Sequence, residues 1–265
     1  MDENKEILPN IKNIKSQESY TLPSKGLVYA PDDRIPASIS LRRMTTKEEK
    51  IRLRNESEDK IRRDLLQACI LDNIDVNKLK LEDANFLLFR LRALSLLDDT
   101  YKVRVRCGSC GTEFIHQLNL SEVPIEFMKE TDISKFKMEL PLSKAKIDFK
   151  LPSIGDIIAM GDTITDYLNR FPNSDRGEVI YTLSIMVYID KVNEQKLINE
   201  VLEDYIDNLD IIDMRALREH ISSIDGLYGF SDKLECKCPK CSKLITHGLP
   251  ITDELFNPSK EPLTE

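Results

Sequence analysis

The sequence contains no tryptophan, and aromatic residues of any kind make up 6% of its 265 positions. Aromatic cages, base-stacking platforms and Trp-anchored sugar sites are disfavoured accordingly. Histidine is scarce too, at three residues (His116, His220 and His247), which leaves little material for imidazole catalysis. Among the motifs that carry known chemistries, G-x-x-x-x-G-K-[ST], G-x-S-x-G, H-E-x-x-H and the deaminase H-x-E are all missing. The stretch from Gly155 to Gly161 has two glycines in a helical setting but neither the lysine nor the spacing of a phosphate loop. No base, nucleophile and oxyanion donor can be nominated together, so the chain does not read as an enzyme. Apolar runs stay below the roughly 18 residues of a membrane span, and Met1-Asp2-Glu3-Asn4-Lys5-Glu6 lacks the basic-then-apolar order of a secretion signal. A soluble intracellular or virion-internal protein is expected.

What is present is charge and apolar material in balance. Acidic residues outnumber basic ones 46 to 38, giving a net charge of −8, and 41% of residues are hydrophobic. That suits one sizeable core or two modest ones and argues against a basic nucleic-acid coat. The charges are segregated: residues 42–63 hold nine basic and five acidic side chains, residues 190–225 four basic and ten acidic. Such blocks are most simply solvated helix faces, although opposed charge can also steer a partner.

The pattern divides the chain into four parts. Residues 1–19 are polar and read as a flexible N-terminal arm. Residues 20–130 begin with a strand-and-turn segment, in which Ala37 to Leu41 alternates with period two and Ser24-Lys25-Gly26 forms a turn. A capping box at Thr46-Lys47-Glu48-Glu49 starts a helix. Ile61, Leu65, Leu66, Cys69 and Ile70 mark a second, with Cys69 on its apolar face, and Glu82 to Leu97 a third, apolar on nearly every side. Within it Arg90 and Arg92 point to different faces, so each needs its own acceptor if buried. Tyr101–Arg106 and Glu113–Leu120 are strands. Residues 131–230 open with a hairpin, Phe136–Leu140 and Lys146–Leu151, followed by helices over about 153–170, 175–190, 194–208 and 213–224. Residues 231–265 form a C-terminal hairpin and tail. The fold class expected is α+β, helix-rich, with short β-hairpins.

Six cysteines give the most specific signal. Cys107-Gly108-Ser109-Cys110-Gly111 and Cys238-Pro239-Lys240-Cys241-Ser242 are two C-x-x-C knuckles, each entered from a period-two segment. In a knuckle two sulfurs point inward from one tight turn, and two such turns face to face supply the four thiolates of a tetrahedral zinc site. A weak internal repeat supports the pairing: Cys107 aligned with Cys238 and Cys110 with Cys241 sets Val105 opposite Cys236, His116 opposite His247 and Leu120 opposite Ile251. The prediction is a split zinc ribbon in which Cys107, Cys110, Cys238 and Cys241 hold one structural Zn2+ and join the N- and C-terminal portions across 127 intervening residues. Redox C-x-x-C motifs usually open a helix, which neither pair does. Cys236 is an alternative ligand to Cys238, disfavoured by register. His116 and His247, each six positions past its second cysteine, are alternatives in separate mixed sites, too far up their strands to reach a shared ion. A closed four-thiolate site has no open position for water and is a poor catalytic centre.

Zinc ribbons also serve nucleic-acid machinery, and Arg104, Arg106, Lys237, Lys240 and Lys243 flank the knuckles. The acidic net charge and the lack of interleaved aromatics make this zinc-ribbon nucleic-acid-binding or transcription-associated role the alternative.

The order of several short motifs is similar to that of the T-even-type phage baseplate family. These motifs are Leu22-Pro23-Ser24-Lys25-Gly26-Leu27-Val28-Tyr29, Leu41-Arg42-Arg43-Met44-Thr45-Thr46-Lys47-Glu48-Glu49, Phe86 to Ser95, Cys107-x-x-Cys110-Gly111, Cys238-Pro239-x-Cys241 and Leu249-Pro250-Ile251-Thr252-x-x-Leu255-Phe256-x-Pro258. The resemblance spans about residues 20–258. It implies a non-enzymatic baseplate hub component or hub-assembly chaperone of a contractile tail. It also implies other phage tail proteins as partners, and a location in the virion or, during assembly, in the host cytoplasm.

Overall fold

The computed structural model describes residues 16–231, 234–249 and 253–256. The chain is α+β, built from helices and short antiparallel strand pairs. Strand β1 (Gln17–Thr21) pairs with β2 (Ser38–Arg42), whose Ile39 and Leu41 are fully buried. Part of the expected arm is therefore strand, because Gln17 to Ser19 find ladder partners in Ser40 to Arg42; residues 1–15 lie outside the described residues. The intervening turn needs left-handed backbone at Lys25 (φ 52°) and Gly26 (φ 80°).

Helices α1 (Thr46–Arg52), α2 (Glu58–Cys69) and α3 (Leu81–Leu96) follow. The capping box is one residue earlier than expected: Thr45 is the N-cap, and Glu48 Oε2 accepts from the Thr45 N–H at 2.7 Å and its hydroxyl at 2.8 Å. Arg42 decides between the adjacent threonines, because its guanidinium donates to both Glu48 oxygens, at 2.9 and 3.3 Å, and fixes Glu48 at the third helical position. That ion pair holds the buried Glu48 carboxyl down at about 2. Cys69 is buried on α2, where desolvation raises its thiol to about 11.

Helix α3 is the centre of the first core. Its Phe86, Leu87, Leu88, Phe89 and Leu91 are buried, and so is Asp83, which accepts from the Ser24 N–H (3.0 Å) and the Tyr29 hydroxyl (2.6 Å). Arg92 is 2% exposed and finds the acceptors its position demands: its two terminal nitrogens donate to the carbonyls of Asp98 and Thr100, both at 2.6 Å. Arg90 lies over the rings of Phe86 and Tyr20 instead.

Next come the long hairpin β3 (Thr100–Arg106) and β4 (Glu113–Asn119), then the two-residue β5 (Ile125–Glu126). Strands β6 (Lys137–Glu139) and β7 (Lys146–Phe149) form the expected hairpin, after which α4 (Ile154–Arg170) packs against both α2 and α5 (Arg176–Met186). The helix expected over 175–190 is shorter. Past Met186 the chain becomes β8 (Ile189–Val192), a third strand on the open edge of β7, with a bulge at Asp148/Phe149. Ile189 and Val192 are buried by that pairing, which outweighs helical continuation for β-branched residues. Asn193 (φ 49°) and Glu194 (φ 67°) then turn the chain, so α6 (Asn199–Asp207) starts later than the expected 194. Helix α7 (Ile211–Asp225) is followed by β9 (Gly229–Phe230), paired with β5, and by the last hairpin, β10 (Leu234–Lys237) with β11 (Leu244–His247).

Two main cores result. The second draws all its buried members from between Leu140 and Ile224. The first combines residues 22–123 and Ile154 with Leu234, Cys236, Leu255 and Phe256 from the far end of the chain. Strand β9 seats Phe230 against Phe86 and Phe89, with ring centroids 5.7 and 5.2 Å apart, at the start of that return. Among the described residues no helix is long and apolar enough to cross a membrane.

Candidate metal centre

In β3 the alternation buries Tyr101, Val103 and Val105 and exposes Lys102, Arg104 and Arg106, then delivers Cys107 at the strand's end. The first knuckle closes with the Cys107 N–H donating to Thr112 O at 2.9 Å and the Gly111 N–H to Cys107 O at 2.8 Å. The second repeats both bonds at matching positions: Cys238 N–H to Lys243 O and Ser242 N–H to Cys238 O, each 2.9 Å. The residue after each second cysteine is left-handed, Gly111 at φ 73° and Ser242 at φ 59°. Glycine adopts this freely, whereas serine carries a steric cost there that the knuckle imposes. Cross-strand partners also coincide, with Val105 opposite Phe114 and Cys236 opposite Ile245. The repeat read from the sequence is thus a repeat of hydrogen bonds and register.

The hairpins meet at their tips and remain in contact farther along their strands. Cys107 Sγ is 3.6 Å from Cys241 Sγ, and Cys110 Sγ is 3.6 Å from Cys238 Sγ. All four sulfurs lie within 4.8 Å of one another. A tetrahedral ion with metal–sulfur bonds of about 2.3 Å sets its sulfurs about 3.8 Å apart, so the cluster has the size such an ion requires. Cys107 and Cys238 are buried, Cys110 is half-buried and Cys241 exposed.

Backbone N–H groups of Cys110 and Ser109 lower the Cys107 thiol. The hydroxyl and N–H of Thr112 bring Cys110 down to about 6. Cys241 goes the other way: the Lys243 N–H favours its thiolate, but Cys110, burial, Cys238 and Cys107 together push it up to about 12. Backbone and hydroxyl donors thus favour the thiolates of the first knuckle, whereas neighbouring sulfurs and burial favour the thiol form of Cys241. A divalent cation among the four sulfurs would favour the thiolate form of each.

Farther up the two hairpins lies a separate group. His116 on β4 and His247 on β11 face each other across the seam, Nδ1 to Nε2 at 2.8 Å, with their rings perpendicular. Cys236 joins them: one ligand atom from each of the three residues lies within 4.8 Å of the others. Neither histidine joins the four sulfurs, and Cys236 does not take the place of Cys238. His220 packs on Phe149 and places Nε2 2.7 Å from Lys135 O. The knuckle-flanking Arg104, Arg106, Lys237, Lys240 and Lys243 are all exposed. Thr112, whose hydroxyl lies 3.3 Å from Cys110 Sγ, is marked in the sequence only as a hydroxyl residue two positions after a knuckle cysteine.

Two knuckle hairpins, 127 residues apart in the chain, meet at one four-sulfur cluster in an α+β scaffold whose second core is built from the sequence between them. The chain belongs to the T4 bacteriophage base plate protein family, whose model matches residues 15–256. No curated protein and no solved structure matches it.

Proposed function

We propose that this protein is a non-enzymatic component, or assembly chaperone, of a contractile-tail baseplate hub, clamped by one structural zinc ion on Cys107, Cys110, Cys238 and Cys241. The observation that carries the clamp is the approach of four sulfurs, from two knuckles 127 residues apart in the chain, to the spacing of a tetrahedral ion. Membership of the base plate family carries the setting. A closed thiolate site supplies folding energy and leaves no coordination position for a substrate. Cys107 and Cys238 anchor the ion from the core side, while Cys110 and Cys241 close it from the solvent side. The work of such a chain is binding, with other tail proteins as its partners.

The test is where the protein goes. Presence in purified virions, with co-purification of tail proteins, supports a structural part; presence in infected lysate alone, still bound to tail proteins, supports the chaperone. Tight, salt-sensitive DNA binding with no tail-protein partner would overturn both.

A further inference from the structure

We infer that His116, Cys236 and His247 form a second metal site, of mixed nitrogen and sulfur character, for a divalent ion of the zinc class. The three residues come from both hairpins, so an ion here would cross the same seam as the four-sulfur cluster at a higher level. Their ligand atoms converge within 4.8 Å of one another. A hydrogen-bonded histidine pair beside a buried thiol acting as a small apolar filler is the simpler reading. Three features favour the ion.

The first is the tautomer of His247. Its Nδ1 lies 2.7 Å from Gly248 O, and a carbonyl only accepts, so Nδ1 carries the proton and Nε2 presents a lone pair to the seam. Metal-bound histidines are held in this way, with the distal N–H on a carbonyl. The second is the pair distance. His116 Nδ1 is 2.8 Å from His247 Nε2. Two nitrogens on one tetrahedral ion stand about 3.3 Å apart, so the rings need separate by only about half an ångström. The third is where the repeat breaks. Position 105 of the first hairpin is a buried valine, whereas its counterpart in the second is Cys236, equally buried and paired with Ile245, two positions along β11 from His247. This change from valine to cysteine introduces the ligand atom that the pair lacks.

Binding balances simply. His116 moves its proton from Nδ1 to Nε2, Cys236 releases its thiol proton to solvent, and the ion gains two imidazole nitrogens and one thiolate. Three protein ligands leave a fourth position, which water or an exogenous donor takes.

The probe is Co2+ added to the full-length reduced protein, read by stoichiometry and by thiolate-to-metal charge transfer. Two ions per chain are expected, one with a four-thiolate spectrum and one with about a quarter of its charge-transfer intensity, as a single thiolate gives. Cys236→Val, which installs the residue of the matching position, and His247→Gln are each expected to reduce two ions to one and leave the four-thiolate spectrum intact. If His247→Gln fails to fold, Cys236→Val decides alone. Saturation of the wild type at one ion with only the four-thiolate spectrum overturns the second site, as does retention of two ions by Cys236→Val. A single ion of one-thiolate signature would instead sink the four-sulfur clamp and leave this site standing.

Discussion

Cys110 and Cys238 stand 128 positions apart in the chain, and their sulfurs stand 3.6 Å apart in the fold. Closing so long a loop removes much of the freedom of the unfolded chain, about 5 kcal/mol by the loop-entropy argument for a covalent link. Cys110→Ser and Cys238→Ser are each expected to release the four-sulfur ion and lower the thermal midpoint. The double variant should cost little more than either single one, because one lost thiolate already opens the clamp. Elemental analysis alongside thermal melts checks both; additive losses would mean the cysteines act separately.

Arg92 offers a second test. Its guanidinium serves two carbonyls just past α3, those of Asp98 and of Thr100 at the start of β3, from a buried position over the Tyr101 ring. Arg92→Met keeps the bulk and leaves both carbonyls without that donor, at an expected loss of about 2–4 kcal/mol. Arg92→Lys should recover only part, since an ammonium lacks the planar fork. Denaturant titration of the three proteins gives the order.

The Arg42–Glu48 pair predicts a pH dependence. Glu48 titrates at about 2 in the fold against 4.5 ordinarily, chiefly because Arg42 hydrogen-bonds its carboxylate. A depressed carboxylate stabilises fully above the unfolded value and loses that contribution as pH falls from 4.5 toward 2. The stability difference between wild type and Glu48→Gln should be greatest near neutral pH, on the order of 2 kcal/mol, and shrink across that window. A difference that stays constant down to pH 3 would refute the pairing as its source.

Gly229 gives the fourth. Its φ is +110°, and an added Cβ would come within 2.7 Å of Glu82 Oε2. Gly229→Ala is expected to cost about 1–2 kcal/mol from the backbone alone and to disturb β9, whose Phe230 packs on Phe86 and Phe89. Chemical denaturation should show the loss, and faster amide exchange at Phe230 should accompany it.

What could be read in the sequence were features whose causes are local. The knuckles, the offset between the hairpins and helix α3 all follow from near-neighbour spacing. Where the cause is distant the reading failed or was silent. Ile189 and Asp190 continue a helical pattern in sequence, and only the open edge of β7, at least 40 positions earlier, makes Ile189–Val192 a strand. Thr45 and Thr46 are equal candidates for a cap until Arg42 selects Glu48. Asp83 looks like an ordinary first-turn carboxylate, since its partners Ser24 and Tyr29 lie 59 and 54 positions away. The same holds for Cys236, whose neighbourhood with His116 and His247 is set by how the hairpins meet.

The excursion of the chain between the two knuckles also orders events on the ribosome. At roughly 5–20 residues per second, the first knuckle emerges on the order of ten seconds before its counterpart exists. During that wait the whole of the second core, Leu140 to Ile224, has been made and is free to close. The first core still lacks Leu234, Leu255 and Phe256. The inner lobe is thus expected to mature before the outer one, and the seam between the hairpins to be the last part of the molecule to form.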